Sequence, residues 1–287
     1  MLEDIFFKLP GNTLSTIVCG IFGLLIGSFL NVVIFRLPKM MQRESDNYIA
    51  QETGQPLPHT AAYNLVVPRS ACPHCGHQIS AMENIPVISY LAIGGKCRSC
   101  KAPISLRYPI VELVSGVLAA AMIWYFGSGI AGLSAMIFCF FLLAMTMIDA
   151  DTHLLPDDLT LSLLWLGLLV NLNGTFTSLP SAVIGAVAGY LSLWSIYWVF
   201  KLITGKEGMG YGDFKLLAAL GAWMGWSMLP VIILLSSAVG AVVGLAMIVL
   251  AKMGKDTPLP FGPYLAGAGI IALIWGRQLT QLYLGFV

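Results

Sequence analysis

Apolar residues come in long blocks along this chain, separated by short polar or Gly/Pro breaks. A bilayer core about 30 Å thick needs roughly 20 consecutive apolar residues per helical span. Searched on that basis, the sequence offers eight runs, at about 13–35, 109–127, 130–148, 157–173, 180–201, 213–226, 228–251 and 263–285. The run at 213–226 is short for a span, and Gly225-Trp226 turns the chain directly into the next one. The pattern predicts an all-α polytopic membrane protein with about eight transmembrane helices. Composition strengthens this: 57% of residues are hydrophobic, 10% are charged and mean hydropathy is +0.83, whereas an average soluble domain carries about 25% charged residues. The chain divides into a first transmembrane helix (1–36), a polar insertion (37–107) and a seven-helix membrane core (108–287).

Charge placement adds a topology. Net charge is only +1, which points away from nucleic acid and leaves the lipid bilayer as the obvious surrounding. Of the 15 basic residues, eight (Arg36, Lys39, Arg43, Arg69, Lys96, Arg98, Lys101 and Arg107) lie in or beside the insertion. Lys201, Lys206, Lys215, Lys252 and Lys255 flank later breaks that share its side if there are eight spans, and the breaks near 128, 176 and 227 carry none. The positive-inside rule then puts the insertion in the cytosol and both termini outside. Glu3, Asp4 and Lys8 do not make the basic start of a cleavable signal, so the first run is expected to stay as an anchor.

The insertion is too long for a passive linker. It contains Pro56, Pro58, Pro68, Pro73, Pro86 and Pro103 and little helical periodicity, which predicts a small irregular lobe. Its chemistry lies in Cys72-Pro-His-Cys75, then 21 residues, then Cys97-Arg-Ser-Cys100. Two such knuckles suit tetrahedral zinc, whose binding would supply folding free energy to a lobe without an apolar core. Cys72, Cys75, Cys97 and Cys100 are the expected ligands of a structural Zn2+. Two disulfides are the rival reading, opposed by a reducing compartment, and His74 or His77 replacing one cysteine is another. Cys19 and Cys139 sit inside apolar runs as small packing residues.

Acids gather at one membrane edge. The third run ends in Met147-Ile148-Asp149-Ala150-Asp151-Thr152-His153 and is followed by Asp157 and Asp158. Carboxylates in or near lipid are costly and mark function by default. Asp157 and Asp158 read as residues that cap and charge the next helix, whereas Asp149 continues directly from an apolar helix. A second isolated acid, Asp213, follows the glycine-rich Gly208-Met-Gly210-Tyr-Gly212 at the head of the sixth run. Alone it reads as ordinary capping. Paired with Asp149 on the same face, it suggests two carboxyls sharing one proton, one accepting from water and the other donating to a carbonyl oxygen.

Together these residues resemble the bifunctional type IV prepilin leader peptidases and N-methyltransferases over nearly the whole chain. The resemblance rests on Gly27-Ser-Phe-Leu-Asn31-Val-Val-Ile-Phe-Arg36-Leu-Pro38, the paired Cys-x-x-Cys knuckles, Arg107-Tyr-Pro-Ile-Val-Glu112-Leu and the two aspartate motifs, with Gly-x-Gly-Asp at 210–213 the signature of the class. It implies catalytic Asp149 and Asp213, with Asp151 a neighbour in the motif and a shift by two left open. It further implies an inner-membrane enzyme that cuts short basic leaders from prepilins and from the pseudopilins of type II secretion, after a glycine at the cytosolic face. Keeping all four cysteines implies the second activity, N-methylation of the new N-terminal residue with S-adenosylmethionine as donor.

The residues themselves support the peptidase better than the methylation. No glycine-rich turn follows a predicted strand, and Gly94-Gly95-Lys96 reads as a turn, so the methyl-donor site is unassigned. Asn31 reads as an interhelical hydrogen-bonding residue and Arg36 as one that snorkels to the interface. Glu112 is expected to pair with Arg107 or Arg36. A transporter using Asp149 and Asp213 for proton or cation coupling is the alternative from another class, although such proteins show inverted repeats with midplane sites. The substrate pilins and the oligomeric state are not legible.

Overall fold

The computed structural model describes residues 13–206, 208–250 and 259–285. Glu3, Asp4, Lys8, Lys252 and Lys255 of the topology argument lie outside them. Nine α-helices are described: α1 Thr13–Glu52, α2 Ile88–Ala92, α3 Arg107–Phe126, α4 Ile130–Thr152, α5 Asp157–Val170, α6 Leu179–Thr204, α7 Tyr211–Met224, α8 Leu229–Leu250 and α9 Gly262–Gly285. The described residues contain no strand, only two isolated bridges. Eight of the helices coincide with the eight apolar runs, but five segments (Thr13–Glu52, Arg107–Phe126, Ile130–Thr152, Leu179–Thr204 and Trp226–Val249) are both long and apolar enough to cross a membrane. With long rows of exposed Leu, Ile, Val and Trp on α1, α6 and α8, they make this a multi-pass membrane protein.

The chain forms two compact units. Of the described residues, one holds 13–128 with Ala135–Ala144; the other holds Gly129–Ser134 and those from Met145 onward. In the first, α1 packs along α3 through small residues: a Cβ on Gly23 would stand 2.6 Å from the Ala119 methyl, and one on Gly27 would stand 2.7 Å from the Glu112 Cα. Such close backbones let the Ser115 hydroxyl donate to the Gly23 carbonyl at 2.8 Å. Lipid gives helices no hydrophobic drive to associate, so van der Waals contact between small residues and interhelical hydrogen bonds must supply it.

The apolar run that starts α1 ends near residue 35, yet the helix continues through Pro38 to Glu52. Its polar continuation has a reason in the next segment, which runs back along it. Asn47 exchanges two hydrogen bonds with the His59 backbone, Asp46 meets the His59 ring at 3.1 Å, Arg43 lies over the Tyr63 ring and Arg36 donates to the Asn64 carbonyl. Arg36, Arg43, Asn47 and Ala50 share one face by their spacing of seven, four and three. The start of the insertion is therefore a helix with a strap along it, where the sequence suggested irregular chain.

In the second unit α7 is central. Every residue from Asp213 to Met224 except Lys215 is buried. Gly185 on α6 and Gly221 on α7 meet backbone to backbone, with no room for a Cβ on either. Trp223 Nε1 donates to the Leu163 carbonyl of α5 at 2.8 Å, and the Asn171 amide donates to the carbonyls of Ala222 and Trp223 at 2.9 Å each. A helix walled in by others need not match the bilayer thickness, which is consistent with an α7 of only 14 residues.

Candidate functional site

Asp149 is four residues before the C-cap of α4. That cap, His153, takes the left-handed conformation at φ 54° and donates its N–H to the Asp149 carbonyl at 2.9 Å, stopping the helix. Asp213 stands in the first turn of α7, where a carboxylate complements the positive end of the helix. Gly210 is the N-cap, and its carbonyl accepts the Asp213 N–H at 3.3 Å. Both side chains are buried, at 5% exposure for Asp149 and 7% for Asp213. Asp151, two residues from Asp149, is exposed.

A third element completes this corner. The backbone N–H of Gly262, first residue of α9, donates to Asp149 Oδ2 at 2.9 Å in a buried bond. A Cβ on Gly262 would stand 2.7 Å from that oxygen and 3.3 Å from Leu155 Cδ1, and a Cβ on Gly212 would stand 2.6 Å from Leu155 Cβ. Leu155 thus sits between two glycines, one beside Asp213 and one bonded to Asp149; Leu155 leaves no room for a Cβ at Gly212, and the Asp149 carboxylate leaves none at Gly262. An aromatic cluster of Tyr197, Tyr211 and Phe214, with ring centroids 5.4–5.7 Å apart, steadies the head of α7. Sequence reading missed Gly262 and Leu155. The only trace was Gly262-Pro263 opening the last run, a common helix start with nothing in it that speaks of an acid 113 residues earlier.

Asp157 and Asp158 lie in the first turn of α5, as expected for charge at a helix start, but the N-cap is Pro156, without a side-chain cap. Asp157 pairs with Lys215 at 2.6 Å, tying the start of α5 to that of α7. Glu112 departs from expectation. It accepts the Val87 N–H at 2.8 Å and bonds the Ser28 hydroxyl, instead of pairing with Arg107 or Arg36. Asn31 donates to the Tyr108 carbonyl at 3.1 Å, the interhelical bond its position suggested.

The four cysteines converge in the first unit. Their sulfurs lie within 4.8 Å of one another, with Cys72 to Cys100 at 3.8 Å and Cys75 to Cys97 at 3.9 Å. The two knuckles are built alike: Cys72 and Cys97 donate N–H to the carbonyls of His77 and Ala102, and accept from Gly76 and Lys101, both at positive φ. The N–H groups of Cys100 and Ser99 pull the Cys97 thiol down to about 6, toward the thiolate a cation needs. All four are free thiols rather than disulfides. Tetrahedral zinc with bonds of about 2.3 Å places its sulfurs about 3.8 Å apart, so the quartet fits that ion. His77 is turned to Glu83, whose carboxylate also takes the Ser80 N–H and hydroxyl and is held down at about 2 by them.

A multi-pass helical protein with a pair of buried acids and a four-thiol lobe is a recognisable class, and two family profiles divide the chain between them: the bacterial peptidase A24 N-terminal domain matches residues 21–126, and the type IV leader peptidase family matches residues 136–245. The prepilin leader peptidase/N-methyltransferase of Pseudomonas aeruginosa is 57% identical over 280 residues, covering 97% of both chains. The protein of the same description from Aeromonas hydrophila is 56% identical, covering 92% of both. That from Burkholderia pseudomallei strain 1026b is 56% identical over 92% of this chain and 85% of its own. The chain belongs to the type IV leader peptidase family. No solved structure matches it, and nothing among these relatives supports a transporter.

Proposed function

We infer that this protein cleaves the leader peptide from prepilins and then N-methylates the new N-terminus, with Asp149 and Asp213 as the hydrolytic pair. The observation that carries the reading is the burial of two carboxyls at helix ends within one unit, one of them oriented by a backbone N–H. The Gly262 N–H donates to Asp149 Oδ2 and fixes the orientation of that carboxyl. In such a pair the ionised carboxyl removes a proton from water while the water oxygen bonds to the peptide carbonyl carbon. The protonated carboxyl gives its proton to the carbonyl oxygen. The tetrahedral diol then collapses, the C–N bond breaks and the leaving amine takes up a proton. No covalent enzyme intermediate is needed.

Cys72, Cys75, Cys97 and Cys100 would hold Zn2+ as a closed structural site, with no open position for chemistry. S-adenosylmethionine, when bound, supplies the methyl group that the freed amine accepts. We place the enzyme in the bacterial inner membrane with eight spans, the dyad and the cysteine lobe at the cytosolic face and both termini periplasmic. Its substrates extend to the pseudopilins of type II secretion, cut after a glycine. The test is cleavage of a leader-bearing prepilin by the full-length protein in bilayers. Asp149→Asn and Asp213→Asn should each lower the rate on the order of 10²–10⁴-fold with bound zinc unchanged. Full activity in either variant removes that residue from the pair.

A further inference from the structure

Arg36 is 6% exposed, and among the described residues its charge has no anionic partner. Its guanidinium donates to the Asn64 carbonyl at 2.9 Å and lies 5.8 Å from the centre of the Tyr63 ring, and among the described residues no carboxylate pairs with it. Guanidinium has five N–H donors in a flat fork shaped for phosphate and carboxylate. A buried cation left without an anion is costly. No nitrogen of Arg36 is both sealed from solvent and without a hydrogen bond, so the donors it does not spend on Asn64 keep contact with solvent.

The surroundings are built for the same purpose. The acceptor carbonyl belongs to a tight turn, where Asn64 Oδ1 takes the N–H groups of Val66 and Val67 at 2.8 and 2.7 Å. Arg43, two helical turns beyond Arg36 on the same face, lies 4.2 Å from the centre of the same Tyr63 ring. Two guanidinium groups thus share one aromatic ring just past the end of the first apolar run. Of the acids in this stretch of α1, Asp46 is taken by His59 and Gln42, and Glu44 is exposed.

We propose that Arg36, with Tyr63 and Arg43, is an oxyanion-binding site at the membrane edge, taking the phosphate of an anionic lipid or the carboxylate of the methyl donor. Both ligands present the same planar or near-planar pair of oxygens to the fork, and basic pockets beside transmembrane helices bind lipid headgroups. The lipid source is independent of the function inferred above; the donor source rests on its methyltransferase half. Neither touches the cleavage chemistry.

The experiment has two arms on the full-length protein. In the first, native mass spectrometry counts phosphatidylglycerol retained after exchange into phosphatidylcholine. In the second, equilibrium dialysis measures S-adenosylmethionine binding in phosphatidylcholine nanodiscs. Arg36→Gln is expected to weaken one of the two by about 10- to 100-fold, the size of a lost hydrogen bond to a charged group. Arg36→Lys should restore part of that loss, since it keeps the charge without the fork, and bound zinc should be normal in both variants. A lipid effect alone names the headgroup, and a donor effect alone names the methyl donor. Unchanged binding of both ligands overturns the site. So does loss of zinc and early melting in both variants, which would make Arg36 a structural strut for the 64–67 turn.

Discussion

Around the cysteines the chain has almost no regular structure: one turn of 3₁₀ helix at Met82–Asn84, a five-residue helix and two isolated bridges, with no buried residue in either helix. Around the aspartates α7 is buried continuously from Leu216 to Met224, and glycines on α6, α7 and α9 bring backbones and carboxyl together without a gap. The first region holds its polar groups with four convergent thiols and the second with close packing. The difference teaches where each is vulnerable. If a cation organises the lobe as proposed, it fails when the cation goes, whereas a packed bundle fails when one atom is added.

Removing metal should therefore have the largest effect and confine it to one region. Structural zinc contributes on the order of 10 kcal/mol of folding free energy to small domains. Chelation or Cys97→Ser should abolish amide protection over residues 70–104 in hydrogen exchange and leave α5–α9 protected; equal loss in both regions would erase the contrast. Adding an atom tests the other half. Gly221→Ala drives a methyl into the Gly185 backbone and should cost about 3 kcal/mol, read as a lower melting temperature with zinc still bound. Gly262→Ala is subtler, because the methyl meets Asp149 Oδ2 instead of a helix backbone. Misplacing that carboxylate should slow prepilin cleavage about 10²-fold while KM and thermal stability hold, and an unchanged kcat would mean Gly262 does not position Asp149.

Two smaller effects sharpen the picture. Glu83 is held at about 2, below its usual 4.5, by the Ser80 N–H and hydroxyl. A depressed carboxyl stabilises the folded form above its unfolded value and loses that contribution as pH falls toward the folded one. Ordering of the 80–83 turn should thus be complete above about 4.5 and decline toward 2, as Glu83→Gln would show by being less ordered at neutral pH and indifferent to that window. Asp157→Asn, which breaks an exposed pair with Lys215, should change stability by no more than about 1 kcal/mol.

Read from sequence, the eight apolar runs coincide with eight helices, five of them in segments long and apolar enough to cross a membrane, because long apolar helices declare themselves by length and composition. The cysteine quartet was equally plain, since metal ligands have to recur at fixed local spacing. Asp149 and Asp213 stood out for the cost of placing acids beside lipid. The partners of Arg36 and Glu112 did not. Glu112 bonds a backbone N–H and a hydroxyl, Arg36 bonds a carbonyl, and any residue type can supply such backbone partners. The polar continuation of α1 to Glu52 was hidden too, since Asn47, Arg43 and Arg36 show their common face only once His59, Tyr63 and Asn64 are laid along it.

By itself the sequence determined that this is a helical membrane protein, where its thiols gather and which acids are out of place, because each follows from hydrophobic length, local spacing or the cost of charge. Only the tertiary structure decided that Gly262 donates to Asp149, that Leu155 lies between two glycines and that Arg36 is buried without an anion among the described residues. Those are contacts between residues far apart in the chain, and close approach of backbones leaves no pattern for a sequence to carry.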